Sequence, residues 1–181
     1  LLKWLGEKGD SAAISTAIAI SVPLDLNLAA LKLGRGLSRI YQRHLLNKLR
    51  VSVTEKAAAH TPPFPLDSLH QLNTFHKFDN EITAPLHGFH DVHEYYTKSS
   101  SKQFLKNIRI PTLLLQSVDD PFLPASALPD EDELSPSVTL ELSAHGGHVG
   151  FVSGSNPLRP GYWLEERILQ HLDEHRHRHR D

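Results

Sequence analysis

Two apolar runs, residues 17–22 and 112–118, constrain the fold of this chain more than any other feature of its sequence. Both runs are hydrophobic on both faces, which is typical of interior strands in a parallel sheet that helices cover on either side. A third run, residues 138–143, alternates between apolar and polar side chains. One face of this third strand is therefore expected to meet water, near the edge of the sheet. Together the three runs predict an α/β protein built on parallel strands.

Helical patterns lie outside these strands at both ends of the chain. The segment Leu1–Leu5 is predicted to be the second or third turn of a helix. We expect Gly6 and Gly9 to end this helix, because glycine tolerates the left-handed conformation. From Pro160 to about Glu174, apolar residues recur four positions apart and predict a terminal amphipathic helix. The apolar stripe of that helix consists of Leu164, Ile168 and Leu172.

The stretch between Val22 and Thr112 is far longer than the dozen or so residues that a crossover between parallel strands needs. It contains helix-like segments at 35–50 and 90–107 and a proline-rich loop at 62–65, and it predicts a helical cap or lid inserted on the sheet. The apolar stripe of the first helical segment consists of Leu37, Ile40, Tyr41, Leu45 and Leu49.

The predicted organisation is a partial α/β domain with one inserted cap. Its core is expected in residues 1–26 and 108–175, its cap in about 27–107, and a solvated His/Arg tail in 176–181. A length of 181 residues is sufficient for one domain with a sizeable core.

The composition limits the classes of function. With 19 basic and 21 acidic residues the net charge is −2, so nothing favours a nucleic-acid partner. The chain has no run of about 18 apolar residues, and we predict no membrane span. The absence of cysteine excludes disulfides and thiolate metal sites and suits a cytoplasmic location. Because the chain also lacks methionine, we expect it to begin inside a longer protein.

Two acidic residues, Asp119 and Asp120, directly follow the second apolar run and precede Pro121. Carboxylates in this position stand at the C-terminal tip of a strand, where open α/β sheets gather their ligands. Asp120 is suited to orient a histidine and to stabilise its imidazolium form, as the acid of a catalytic triad does. Ordinary turn chemistry is the alternative, since Asp and Pro are common where strands end.

His148 follows the third run on a loop whose glycines, at 146, 147 and 150, relieve the steric limits on the backbone. Neighbouring parallel strands lie about 5 Å apart and end at the same rim, so a hydrogen bond between His148 and Asp120 is expected. The alternative is an ordinary loop histidine, because the chain has thirteen histidines.

An acid and then a histidine on consecutive strands is the order of the second half of a Ser-Asp-His hydrolase triad. The first half, a serine in a G-x-S-x-G turn, does not occur in the 181 residues. We therefore interpret the chain as the C-terminal part of an α/β-hydrolase whose nucleophilic serine lies upstream.

Other residues offer competing interpretations. His90 with His93, and His145 with His148, could each present two imidazoles to a metal, but zinc sites use three or four ligands and neither pair supplies them locally. We predict neither a metal nor a cofactor. The aromatic segment 75–89 could line an acyl pocket or hinge a lid, or it could simply form the buried core of the cap.

Several segments of the chain together form a pattern that is more specific than any single motif: Leu2–Glu7, Ser21–Leu26, Ser38–Arg43, Phe78–Asp79 with Thr83–Phe89, Val118–Phe122 and His145–Phe151. These segments resemble the YheT-like branch of the α/β-hydrolases, and the resemblance covers essentially the whole chain. It implies that Asp120, with Pro124 four residues on, is the acid of the triad and that His148 is its base, with the nucleophile elbow directly before Leu1.

The sequence thus predicts a serine hydrolase of carboxylic esters, carboxylesterase-like or lipase-like, that acts on a small-molecule ester or a lipid. The fragment alone is expected to be inactive, because the predicted nucleophile lies outside it. Two alternatives remain at this point: a non-catalytic interaction protein that keeps the hydrolase scaffold, and a metal-dependent binding module.

Overall fold

The computed structural model describes residues 1–153 and 161–176. The chain divides into two compact units, one formed by Leu1–Leu24 with Ser101–Asp181 and the other by Asp25–Ser100. The predicted helix start at Pro160 and the tail residues 177–181 lie outside the described residues.

The described strands all lie in the first unit, and most of the described α-helices lie in the second. The strands are β1 (Ala17–Ile20), β2 (Thr112–Ser117), β3 (Val138–Ser143), β4 (Val152–Ser153) and β5 (Gly161–Tyr162). The α-helices are α1 (Leu2–Lys8), α2 (Leu26–Leu33), α3 (Ser38–Ala57), α4 (Phe75–Phe78), α5 (Ala84–Leu86), α6 (Val92–Ser99) and α7 (Trp163–His175). A π-helical turn, Asp79–Thr83, joins α4 to α5. Short 3-10 helices cover Gly9–Ser11, Leu69–Gln71, Lys102–Asn107, Ala125–Ala127 and Glu131–Glu133.

A parallel sheet with the order β1-β2-β3 forms the centre of the first unit. Every residue of β2 is buried, which confirms the prediction of an interior strand that is covered on both faces. β3 lies at one edge of the described sheet, as predicted, and β1 lies at the other edge, where the sequence predicted an interior strand. The predicted alternation of buried apolar and exposed polar side chains is only partly observed in β3. Leu142 is exposed, whereas Glu141 is half-buried and accepts hydrogen bonds from Arg167.

Helices cover both faces of this sheet, and neighbouring residues of β2 point to opposite sides. Leu114 belongs to one apolar cluster together with Leu2 and Leu5 of α1. Leu113 and Leu115 belong to another cluster, in which Phe151 and Leu164 of α7 are buried. This layering of helix, sheet and helix agrees with the predicted α/β class.

The role predicted for Gly6 is wrong. Helix α1 continues through Gly6 to Lys8 and is capped by Gly9, whose φ is +52°. A Cβ at Gly6 would stand 2.4 Å from the backbone oxygen of Phe104, so this glycine allows close helix packing instead of ending the helix.

The apolar stripe predicted for the last helix is partly wrong. Leu164 is buried and Ile168 packs against the same cluster, but Leu172 is 43% exposed. His171 takes the inward position in the last turns and is buried, with its Nε2 2.7 Å from Thr16 Oγ1.

The second unit is helical. Its buried cluster joins α3 to the segment that follows, and segment 75–89 contributes side chains to this core, as one of its two interpretations expected. The members of the cluster are Leu46, Leu69, Leu72, Phe78 and Ile82.

The apolar stripe predicted on α3 is wrong. Leu37 and Ile40 are 86% and 70% exposed, while the buried residues of the helix are Gln42 and Leu46. The predicted helical segment 90–107 consists of α6 followed by a 3-10 helix. Among the described residues, no helix combines the length and the apolar character that crossing a membrane requires.

Candidate active site

The C-terminal ends of β2 and β3 bring the predicted acid and histidine together. β2 ends at Ser117 and is followed within three residues by Asp120, and β3 ends at Ser143 before the loop that carries His148. The two strands are parallel neighbours, with Ser117 opposite Ser143, so both segments leave the sheet at one rim.

His148 Nδ1 lies 2.9 Å from Asp120 Oδ2. The Asp120 side chain is completely buried, whereas the His148 side chain is 30% exposed. Because an ionised carboxylate can only accept, Nδ1 carries the proton of this hydrogen bond and Nε2 of a neutral ring is left with its lone pair. The arrangement orients the imidazole ring and leaves its side chain partly accessible to solvent.

The turn after Asp120 fixes the carboxylate from the other side. Asp120 Oδ1 accepts hydrogen bonds from the backbone N–H groups of Phe122 at 2.8 Å and Leu123 at 3.2 Å. The Phe122 ring packs edge-on against the His148 imidazole, with ring centroids 4.7 Å apart and planes inclined by 71°. The turn chemistry offered as an alternative for Asp120 is therefore present, and it coexists with the contact to His148.

Asp119 has a separate structural task. Its Oδ1 accepts hydrogen bonds from Gly146 N at 3.0 Å and Gly147 N at 2.8 Å, and from the Ser117 hydroxyl. The Ser117 bond first, and then the two backbone N–H groups, hold the pKa of the Asp119 carboxyl far below its ordinary value. Its Oδ2 lies 3.5 Å from Nδ1 of the exposed His145. The residue next to the predicted acid thus anchors the loop of the predicted base.

Three residues of the site rim have positive φ angles: Ser21 at 49°, Val149 at 64° and Phe151 at 42°. Such angles are uncommon outside glycine and are maintained where surrounding contacts impose them. Here Ser21 Oγ accepts from Val149 N at 3.1 Å, and Phe151 N donates to the Gly146 carbonyl at 2.9 Å. The residue after β1 therefore supports the loop after β3.

Sequence reasoning missed Ser21 and Phe122. The position of Ser21 directly after an apolar strand, like that of Asp119, was the available signal. For Phe122 the signal was weaker, because an aromatic residue after Asp-Pro does not reveal which ring it will contact.

A cavity of about 370 Å³ lies beside this rim, and its lining includes His145, Phe151 and Trp163. Neither Asp120 nor His148 belongs to that lining. We locate the candidate site at Asp120 and His148, because their hydrogen bond orients an imidazole ring. The volume of the neighbouring cavity alone does not identify a reactive group.

Neither histidine pair considered for a metal gains a third ligand within the part of the chain that the structure describes. His148 instead contacts Asp120, and His90 contacts Asp91 at 3.3 Å. In the same described residues, the group of three candidate ligands that lies within 4.8 Å is on α7 and consists of His171, Glu174 and His175.

A parallel sheet with helices on both faces, an acid after one strand and a histidine after the next define part of an α/β-hydrolase fold. YheT of Escherichia coli (strain K12) is 38% identical over 166 residues, which are 91% of this chain and 48% of that protein. Phospholipase ABHD3 of Homo sapiens is 30% identical over 181 residues, which are 98% of this chain and 44% of that protein. Over nearly its whole length the chain is similar to YheT and to other α/β-hydrolases, the resemblance that its sequence predicted.

The chain spans about half the length of the curated relatives it matches. Monoacylglycerol lipase of Saccharomyces cerevisiae is 28% identical over 190 residues, 95% of this chain and 39% of that protein. A solved structure of an esterase from Pyrococcus furiosus aligns at a TM-score of 0.46 with 12% identity, covering 94% of this chain and 48% of that one. No protein-family model matches the chain.

Proposed function

We propose that the protein that contains this chain hydrolyses carboxylic esters, with Asp120 and His148 as the acid and the base of a Ser-Asp-His triad. The observation that carries the proposal is the 2.9 Å contact between His148 Nδ1 and Asp120 Oδ2 at the tips of adjacent parallel strands. The names of two relatives, a phospholipase and a monoacylglycerol lipase, support ester bonds of small molecules or lipids as the substrate class.

In this mechanism a serine outside the chain attacks the ester carbonyl. His148 Nε2 removes the serine proton during attack and then delivers it to the oxygen of the leaving alcohol. Asp120 holds the ring through Nδ1 and stabilises the imidazolium that forms in between. Water then repeats the cycle on the acyl-enzyme. The burial of Asp120 supports this role, because water does not compete for its contact with the ring.

The test is ester hydrolysis by the full-length protein with His148→Ala and, separately, Asp120→Asn. Loss of the base or of its orienting acid is expected to lower kcat by about a thousandfold or more, as in other triads. His145→Ala is the matched control, because His145 lies on the same loop and its side chain is 92% exposed. We expect this control to keep near wild-type turnover.

Circular dichroism of each variant separates loss of catalysis from loss of folding. If His148→Ala folds and still hydrolyses esters at close to the wild-type rate, the assignment of the base is wrong. Equal losses in His148→Ala and His145→Ala would also contradict it, because they would indicate damage to the loop as a whole.

A further inference from the structure

A second cavity, of about 370 Å³, lies entirely within the helical unit of residues 25–100. One face of α3 supplies most of its wall, and the segment 70–74 supplies the rest. Its basic lining residues are Arg39, Arg43, Arg50 and His70, and the lining found among the described residues contains no carboxylate. The cavity therefore gathers positive charge without an acidic group to balance it.

The three arginines also lack acidic partners. Within the described part of the chain, Arg39, Arg43 and Arg50 form no ion pair, although an arginine retains its charge at any pH that a protein tolerates. Arg50 is held by neutral acceptors only: Nη1 donates to Asn47 Oδ1 at 3.0 Å and Nη2 to the Leu72 carbonyl at 2.8 Å. Its Nε is buried without a partner in that same part of the chain.

Neutral donors complete the lining. Gln42 is only 5% exposed, and its Oε1 accepts from Phe75 N at 3.3 Å. The Gln42 side chain also lines the cavity. His70 Nδ1 donates to the Asp67 carbonyl at 3.0 Å, which fixes the orientation of its ring. The largely buried Gln42 side chain, the hydrogen-bonded guanidinium of Arg50 and the oriented ring of His70 thus line one space.

We propose that this cavity binds a phosphate group, either of a soluble phosphate ester or of a lipid headgroup. Guanidinium groups match the oxygen geometry of phosphate, and charge-assisted hydrogen bonds are the strongest that a protein can offer an anion. Arg39 and Arg43 stand one helical turn apart on α3, so both can reach oxygens of one phosphate group. Gln42 adds a neutral donor from the same face. The lining of this cavity shares no residue with Asp120 and His148, and its occupation does not depend on ester hydrolysis.

The test titrates the full-length protein with inorganic phosphate and with glycerol 3-phosphate at low ionic strength, by calorimetry or NMR. Arg43→Gln is the diagnostic variant and Arg39→Gln the second, because both side chains are exposed and neither is needed for a core contact. Lys48→Gln is the matched control, since it removes one charge from the same helix outside the cavity. Loss of one arginine is expected to weaken saturable binding by about tenfold, and the control should bind as wild type does.

A flotation assay separates the two sources of phosphate. Phosphatidylcholine vesicles with phosphatidic acid are compared with vesicles of phosphatidylcholine alone, for wild type, Arg43→Gln and Lys48→Gln. Binding of the soluble ester or of the phosphatidate vesicles that Arg43→Gln weakens and Lys48→Gln leaves unchanged supports the site. Absence of saturable binding to every probe, or equal loss in Arg43→Gln and Lys48→Gln, would overturn it.

Discussion

Asp119 and Asp120 are chemically identical neighbours, and their surroundings give them different tasks. Asp120 is buried and contacts the imidazole of His148, while Asp119 is partly exposed and binds the backbone of the loop that carries this histidine. In the proposed triad the contact of Asp120 serves the reaction, whereas the contacts of Asp119 hold the loop in position. A substitution at either residue should therefore lower activity. Because the pKa of Asp119 is lowered in the folded protein, a substitution there should also change how folding stability depends on pH.

Asp119→Asn tests the charge of the carboxylate that holds the His148 loop. Asparagine is nearly the same size, and its side-chain oxygen can still accept the hydrogen bonds of Gly146 N and Gly147 N. The folded-state pKa of Asp119 lies below its ordinary value of 3.8, so its charge stabilises the fold above that pH and the stabilisation is lost as pH falls through 3.8 toward the folded-state pKa. We expect the wild type to melt higher than Asp119→Asn near neutral pH, with the difference shrinking below pH 3.8. Thermal denaturation between neutral and acid pH measures this, and a difference that grew on acidification would contradict the anchoring role.

The pairing of Asp120 with His148 was predictable, because it depends on two strands being parallel neighbours. The tasks of Asp119 and Ser21 were not, because they depend on where backbone N–H groups of a distant loop lie, and side-chain type carries no information about that. Both residues use polar oxygens to bind the main chain. Contacts of this kind are set by tertiary structure.

At the scale of elements, Gly6 reverses the usual effect of glycine in a helix. Replacing glycine by alanine within a helix ordinarily adds about 0.5–1 kcal/mol of stability. Here the Cβ of the new alanine would lie 2.4 Å from the backbone oxygen of Phe104 and 2.7 Å from the Cβ of Phe104. Gly6→Ala is therefore expected to lower the free energy of unfolding by about 1–3 kcal/mol. Chemical denaturation measures the change, with Glu7→Ala at the next, exposed position as control. A more stable Gly6→Ala variant would contradict the packing.

The two faces of α3 give a matched pair of substitutions. Leu46 is 1% exposed within the core of the helical unit, and Leu46→Ala is expected to lower the free energy of unfolding by about 2–5 kcal/mol. Ile40 is 70% exposed, and Ile40→Ala is expected to change it by less than about 0.5 kcal/mol. Equal effects of the two substitutions in urea denaturation would show that the predicted apolar stripe is buried after all.

The apolar periodicity of α3 misled the sequence prediction for a physical reason. A helix with leucines on two sides can bury either one, and its neighbours decide which. Leu46 meets a cluster that the segment 69–82 completes, whereas Leu37 and Ile40 lie on the other face. The strands were easier to predict, because β2 is buried on both faces and no choice of face arises.

At the scale of the whole molecule, the chain leaves the sheet unit at Leu24 and returns to it at Ser101. The two crossings are adjacent, since Lys102 N donates to the Leu24 carbonyl at 3.0 Å. Leu24 and Leu105 are fully buried in the same cluster, so the junction is part of the core of the sheet unit. The inserted residues 25–100 have a buried cluster of their own.

This junction makes a deletion testable. In the full-length protein, replacing residues 25–100 by a short Gly/Ser linker is expected to leave the sheet unit folded, because the linker spans a gap already closed by one hydrogen bond. Circular dichroism and the cooperativity of thermal unfolding measure this. The control is the protein that keeps residues 25–100 and carries the same linker at the junction. Loss of cooperative unfolding in the deletion alone would show that the two units depend on each other for folding.

A closed junction also has an evolutionary consequence. When the entry and exit points of a segment touch, its length can change at a closure cost that grows only with the logarithm of the number of residues. Recombination can therefore exchange or lengthen the segment that corresponds to residues 25–100 while Asp120 and His148 keep their spacing. Differences in sequence and length between lineages are therefore expected to be larger in residues 25–100 than in the sheet unit.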